Sequence, residues 1–356
     1  MKRTRALLLL SLGVLLALGG TGCARWAAGR LATAPNRYPR WLAPGGRTFL
    51  LFPDAFLTNF PLQTLAVGPP SAKLRYRIVP PADYQVSVTP SNWFAGGKPR
   101  QSFRFAAQLP AATNSFTKHP RGSVFVLHGY GGELAMMLPL ALRLAQEGWR
   151  CAVPDARGHG ASTGRRFSYG VLEAGDLSAL LDRLERDGPS GPVAVVGHSF
   201  GAALALRWRT LEPRVGSVVA LAPYARLGAS ALNIRSEYSP WFPEWLTAAG
   251  FRELPRVLGV GPGELDPATL LPRKPVQALF IVGMDDRITP PSDSHRLKTL
   301  AAPGSRVLFV SGADHETVPY YFDPVMPAVV SWLAAETAPP PAPPPGNGST
   351  GAEAAR

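Results

Sequence analysis

Residues 192–208 read Pro-Val-Ala-Val-Val-Gly-His-Ser-Phe-Gly-Ala-Ala-Leu-Ala-Leu-Arg-Trp. An apolar run enters a Gly-x-Ser-x-Gly turn and an alanine/leucine-rich helical pattern leaves it. This order predicts a buried strand, a sharp turn carrying Ser199, and a helix. On such a turn the serine backbone is strained and the hydroxyl is pushed out above the sheet. Gly197 and Gly201 carry no side chains, so strand and helix can close around the serine. The first N–H groups of the following helix have no partner within it and point at whatever the serine attacks. Gly-x-Ser-x-Gly also arises by chance, so Ser199 becomes a candidate nucleophile only if the rest of a proton relay is present.

Working outward, the flanking sequence alternates short apolar runs with helical patterns. Strands are expected at Ser123–Leu127, Trp149–Pro154, Pro192–Val196, Val215–Ala222, Gln277–Val282 and Arg306–Val310. Helices are expected at Glu133–Gly148, Tyr169–Arg186 and Asp323–Glu336. Continuous apolar strands separated by helices predict an α/β fold, a mostly parallel sheet covered on both faces. Lys73–Val79 and Ser102–Ala106 alternate polar and apolar residues, the pattern of half-exposed edge strands. Residues 223–274 break the rhythm. They contain no strand pattern but hold Trp241, Phe242, Trp245 and Phe251, which predicts a helical lid insertion whose aromatics line or cover the pocket mouth.

A serine hydroxyl needs a base, a carboxylate to orient the base, and donors for the oxyanion. In a parallel sheet these belong at the carboxyl ends of strands. After strand 277–282 comes Gly-Met-Asp-Asp-Arg-Ile-Thr-Pro, residues 283–290. Asp285 and Asp286 compete for the acid, and Asp286 is preferred because Arg-Ile-Thr-Pro then carries the chain away into the next helix. After strand 306–310 comes Ser-Gly-Ala-Asp-His-Glu, residues 311–316, which offers His315 as base. Ser199, Asp286 and His315 then follow one another in the chain order of a nucleophile-elbow triad. The oxyanion donors expected are the backbone N–H groups of Phe200 and of Tyr130, the latter in His128-Gly-Tyr-Gly-Gly132.

Together with Asp155-Ala-Arg-Gly-His-Gly-Ala-Ser162, these motifs resemble the α/β-hydrolase superfamily over about residues 71–336. The resemblance is to the monoacylglycerol lipase-like and serine aminopeptidase-like branch. It implies a serine hydrolase cleaving a carboxylic ester through an acyl-enzyme on Ser199, acting on a small-molecule ester or acyl substrate, with no cofactor and no metal. His128, His159 and His198 are read as hydrogen-bonding stitches between loops. Acyl transfer, thioester cleavage or peptidase action would use the same machinery. A non-catalytic binding protein of this fold would have no need of three matched strand-end residues.

Composition sets the frame. The chain has 356 residues, 46% of them hydrophobic, which suits one enzyme-sized domain with appendages. The net charge is +13, from 37 Lys+Arg against 24 Asp+Glu, but the arginines are dispersed, which argues against a nucleic-acid interface and allows an anionic membrane face. Lys2, Arg3 and Arg5 precede an apolar stretch from Ala6 to Leu18 and small residues before Cys23. This predicts an exported protein with a signal peptide over 1–22. Cys23 in that position is similar to the acylated cysteine of bacterial lipoproteins, although Gly20 stands where the family usually has Leu, Val or Ile. The expectation is a membrane-anchored lipoprotein, with a soluble exported protein as the alternative. Residues 23–70 are expected to form a tether or an extension, and 337–356 a Pro-rich disordered tail. Cys151, within an apolar strand, reads as an inert core residue.

Overall fold

A computed structural model describes residues 22–37, 54–95, 98–110, 120–188 and 191–336. Of the expected signal peptide over 1–22, residues 1–21 lie outside the described residues, as does the Pro-rich tail 337–356. The strands are β1 (Gln63–Val67), β2 (Ala72–Val79), β3 (Gln85–Ala95), β4 (Lys98–Gln108), β5 (Ser123–Leu127), β6 (Arg150–Asp155), β7 (Val193–His198), β8 (Val215–Leu221), β9 (Leu279–Gly283) and β10 (Arg306–Val310). Eight of them form one sheet in the order β1-β2-β6-β5-β7-β8-β9-β10. β1 and β2 run antiparallel to each other, and β2 runs antiparallel to β6. From β6 to β10 every pairing is parallel.

The apolar runs are continuous because each strand faces two covered layers. In β7, Val193 and Val195 pack into one core with Leu177, Leu181, Leu204 and Trp208. Ala194 and Val196 point the other way, into a second core with Leu138, Leu142, Val329 and Leu333. The helices supplying those layers include α3 (Leu138–Gln146), α4 (Val171–Arg186), α5 (Phe200–Leu211), α9 (Pro291–Leu300) and α10 (Phe322–Glu336). Residues 223–274 are helical, with α6 (Leu227–Tyr238), α7 (Glu244–Leu258) and a single turn, α8 (Pro267–Leu270). Buried between the layers, Arg157 and Asp176 form a two-pronged ion pair at 2.8 and 2.6 Å, with side chains only 2% and 5% exposed.

Lys73–Val79, expected at a sheet edge, lies in β2, which is flanked by β1 and β6, and two further stretches differ from the sequence reading. The expected edge strand at Ser102–Ala106 belongs to β4, which pairs with β3 in a separate hairpin rather than in the main sheet. Its Phe103 and Phe105 pack against Tyr320 and Tyr321, so its alternation reflects docking on a loop. The second difference is at the N-terminus. The sheet begins at Gln63, within the segment expected as tether or extension. Residues 22–31 form a helix, α1, whose Ala24, Ala27 and Ala28 are buried. These positions share one helical face. At Gly250 of α7, a Cβ would stand 3.0 Å from Ala27 and 3.1 Å from Leu31, so a residue without a side chain lets the two helices approach.

Residues 32–37 continue as a clasp along the loop after β6, ending in a single 3-10 turn, Pro35–Arg37. Thr33 bridges Arg166, Phe167 N–H donates to Ala32 O, and Asn36 N–H donates to Gly158 O. The Asn36 amide also reaches Gly160 O and Ser162 O. Ala32, Ala34 and Pro35 are buried here, and the Ala34 N–H donates to Arg165 O, so the buried backbone is paired across the contact.

Candidate active site

Ser199 joins β7 to α5 with φ 55° and ψ −115°, the strained turn anticipated from the motif. A Cβ at Gly201 would lie 2.5 Å from Leu127 O, and one at Gly197 would collide with Gly201 O. Only glycines allow this crossing. Ser199 N–H donates to Leu221 O at 2.8 Å, which fixes the turn to the neighbouring strand.

The three residues expected as nucleophile, base and acid meet at the carboxyl edge of the sheet. His315 Nε2 lies 2.9 Å from Ser199 Oγ, and His315 Nδ1 lies 2.9 Å from Asp286 Oδ2. All three are buried. Asp285 is exposed, and its backbone N–H donates to Ala313 O. Asp286 Oδ1 accepts from the N–H groups of Ile288 and Thr289 at 2.8 and 2.7 Å, and Oδ2 also accepts from the Thr289 hydroxyl at 2.7 Å. Burial pushes the Asp286 carboxyl up, but the His315 charge and these donors outweigh it, and the net direction is down. Burial likewise pushes His315 down, and the charge and hydrogen bond of Asp286 outweigh it, so the imidazole ends above its ordinary value. This arrangement can move a proton from the serine hydroxyl to Nε2 while the carboxylate steadies the resulting imidazolium.

The loop holding His315 is pinned by a feature the sequence reading missed. Asp314 Oδ1 accepts from Glu316 N–H, Thr317 N–H and the Thr317 hydroxyl, and Asp314 N–H donates back to Thr317 Oγ1. The signal was present as Asp-x-x-Thr, a side-chain-closed turn. Thr289 was also missed. Its hydroxyl touches Asp286, the Ala222 carbonyl and His315 Nδ1.

The expected oxyanion donors flank the serine. Phe200 N–H opens α5, where the helix offers it no acceptor. Tyr130 lies in a tight turn closed by Gly132 N–H to Gly129 O. That turn runs over Ser199, since a Cβ at Gly129 would sit 3.3 Å from Ser199 Cβ. The three other motif histidines hold loops. His128 Nε2 accepts from Ala156 N–H and its Nδ1–H donates to Gly129 O. His198 Nε2–H donates to His315 O at 2.8 Å, and burial pushes its pKa down to about 3, which keeps it neutral beside His315. His159 donates to Arg157 O and stacks parallel to Phe200. Asp155 Oδ1 accepts from Leu134 N–H and Oδ2 from Ala161 N–H, tying the two loops together, while burial pushes its carboxyl up to about 6.

From the insertion, α6 reaches both site loops. Asn233 Nδ2 donates to Ile288 O, and Tyr238 OH lies 3.4 Å from Glu316 Oε1. Phe251 of α7 packs on Tyr169. Trp241 and Trp245, expected to line or cover the pocket mouth, are 78% and 61% exposed. Cys23 is exposed on α1, and Cys151 is buried. Among the described residues, no group of three His, Cys, Asp or Glu side chains is placed to hold a metal ion, and no helix is long and apolar enough to cross a membrane.

An esterase of Pyrococcus furiosus superposes on 81% of this chain and 97% of its own, with a TM-score of 0.57 at 18% identity. The fold is that of the α/β-hydrolases. Within that fold, the family model described as serine aminopeptidase, S33, matches residues 118–256, from β5 into α7. An uncharacterised Bacillus subtilis protein is 28% identical over 181 residues, 49% of this chain and 58% of its own length. The monoacylglycerol lipase of Mycolicibacterium smegmatis is 30% identical over 123 residues, 34% of this chain and 42% of the lipase. The chain thus spans about half the length of the curated relatives it matches. The region matched by the family model carries Ser199 and the Asp155–Ser162 loop, while Asp286 and His315 lie beyond it.

Proposed function

We propose that this α/β-hydrolase is a serine hydrolase that cleaves a carboxylic ester of a small molecule through an acyl-enzyme on Ser199. The observation that carries the reading is the unbroken hydrogen-bond relay from Ser199 Oγ through His315 to Asp286, each link 2.9 Å. His315 takes the serine proton as Oγ attacks the carbonyl carbon, and then gives it to the departing alcohol oxygen. Water repeats the cycle with His315 again as base, releasing the acid and restoring the serine. The backbone N–H groups of Phe200 and Tyr130 receive the oxyanion. Asp286 holds the imidazole with Nδ1 protonated, so that Nε2 faces the serine. The insertion 223–274 acts as a lid, its α6 resting on the loops of acid and base.

The serine aminopeptidase match keeps a peptidase as the second reading. Both are tested by one panel, p-nitrophenyl esters of increasing acyl length beside an aminoacyl-anilide. Turnover of esters with none of the anilide supports the esterase reading, and preferential anilide cleavage overturns it.

We also propose that the chain is exported and acylated at Cys23. The basic residues at 2, 3 and 5, the apolar stretch from Ala6 to Leu18 and the small residues before Cys23 support this. Incorporation of a clickable palmitate analogue, abolished by Cys23→Ser, tests it.

A further inference from the structure

We infer that α1, its following clasp and α7 form a single surface that lies against an anionic lipid bilayer, so that the carboxyl edge of the sheet faces the membrane. Three kinds of observation support it.

The first is geometric. Cys23 lies in the first turn of α1 with no linker between it and the folded domain, because Ala24, Ala27 and Ala28 are already buried against it. Cys23, Trp26 and Arg30 fall at i, i+3 and i+7 and are all exposed to solvent. Trp26 is 59% exposed, with the Arg30 guanidinium 5.8 Å from its ring.

The second is the aromatic chemistry. Trp26 adjoins Ala27, which packs at Gly250 of α7. Trp245 is five residues back along α7, about 7.5 Å on the helix axis. Trp241 stands just before that helix. Trp26, Trp241 and Trp245 are all exposed, and exposed tryptophans suit the headgroup layer of a bilayer, where the indole ring meets hydrocarbon and its N–H meets water.

The third is charge complementarity. Residues 22–37 and the loop 156–172 contain no Asp or Glu. They hold the exposed arginines Arg25, Arg30, Arg37, Arg165 and Arg166, brought together by the Thr33–Arg166 bridge. The acids of α7, Glu244 and Glu253, pair with Arg235 and Arg256, so the acid-free cluster on α1, the clasp and the loop 156–172 sets the sign of the attraction to an anionic leaflet, which weakens as salt screens it. The loop follows β6 and the insertion follows β8, both at the strand ends that carry Ser199. The inference is independent of the catalytic reading, because no element of it uses the relay.

The experiment places one nitroxide at a time on the full chain carrying Cys23→Ser, at Gly29→Cys on α1, Glu244→Cys at the start of α7, or Phe309→Cys on the far edge strand β10. Cys151 is buried and stays unlabelled. Collision with oxygen, which concentrates in lipid, is compared with collision with a water-soluble nickel chelate. In phosphatidylglycerol-containing vesicles, positions 29 and 244 should favour oxygen several-fold over position 309. Pure phosphatidylcholine or high salt should return both to water. Replacing Arg25, Arg165 and Arg166 with Gln should release the label at 244, each arginine being worth about fivefold in the contact equilibrium. The inference is overturned if 29 contacts lipid but 244 does not, since the leader alone then binds. It is overturned equally if 244 stays as wet as 309, or if 29 and 244 become shielded from both reagents, the mark of a protein partner or second copy.

Discussion

Thr289 Oγ1 lies 3.1 Å from His315 Nδ1, so the imidazole N–H that faces Asp286 also faces a second oxygen. That hydroxyl donates to the carboxylate it shares the proton with, and thereby closes a small ring of acid, base and threonine. Thr289→Val should keep the fold and the two backbone donors on Asp286 while loosening the ring. The expected result is a fall in kcat of about tenfold with KM unchanged. Thr289→Ser should restore most of it. Equal damage from Val and Ser would make Thr289 a packing residue only.

Ser199→Ala removes the atom that the relay deprotonates. Labelling by a fluorophosphonate probe should vanish, and ester turnover should drop by roughly 10³-fold or more. A labelled alanine variant would move the nucleophile elsewhere.

The two adjacent aspartates separate cleanly by substitution. Asp286→Asn should lower kcat by about 10⁴-fold, because the amide favours the wrong imidazole tautomer. Asp285→Asn should leave turnover within a factor of two or so, given its exposed side chain. Circular dichroism of both variants checks that the fold is retained.

The pH profile follows from the direction of the His315 shift. The base works only when neutral, so kcat/KM on a soluble ester should climb with pH through a value above the ordinary 6.5. Asp286 is the partner that lifts it, so in Asp286→Asn the residual activity should climb at lower pH. The same raised value stabilises the fold below the unfolded pKa, and that contribution is lost as pH rises through the native one. A limb that stays put in Asp286→Asn would uncouple the two residues.

Arg157 and Asp176 predict a stability effect away from the relay. Asp176→Ala leaves a guanidinium buried without its carboxylate and should cost about 3–5 kcal/mol in urea unfolding. Arg157→Met with Asp176→Leu should recover much of the loss, because the desolvation cost disappears with the charges. If the single and double variants unfold alike, the pair is not the source of the stability.

The elements around the serine were readable because each obeys a strong local rule. Val193–Val196 is buried on both faces, and Gly197 and Gly201 sit where any side chain would collide. The choice of Asp286 over Asp285 rested on the Arg-Ile-Thr-Pro that follows it, and burial separates the two residues in the same sense. Thr289 was invisible because one hydroxyl three residues after an acid carries no pattern of its own. The N-terminal clasp was invisible for another reason. Its buried face is alanine, which gives little amphipathic contrast, and its partners lie at Gly158–Phe167 and Gly250. The same distance in sequence hid the hairpin of β3 and β4, whose alternation matches an edge strand of the main sheet but docks on Tyr320 and Tyr321.

The bond from Tyr169 to Leu31 O joins residues 138 apart, and that from Asn36 to Gly160 O joins residues 124 apart. This N-terminal segment is therefore among the last to be secured. While the chain grows, residues 22–37 have nothing to rest on, and their alanine face offers little to attract a wrong partner. Once Gly158 to Tyr169 and then Gly250 have emerged, the segment can close over the loop after β6 and hold it against the domain. Long-range closure of this kind slows the final step of folding. It leaves the stretch around Cys23 without its packing partners until Gly250 is in place.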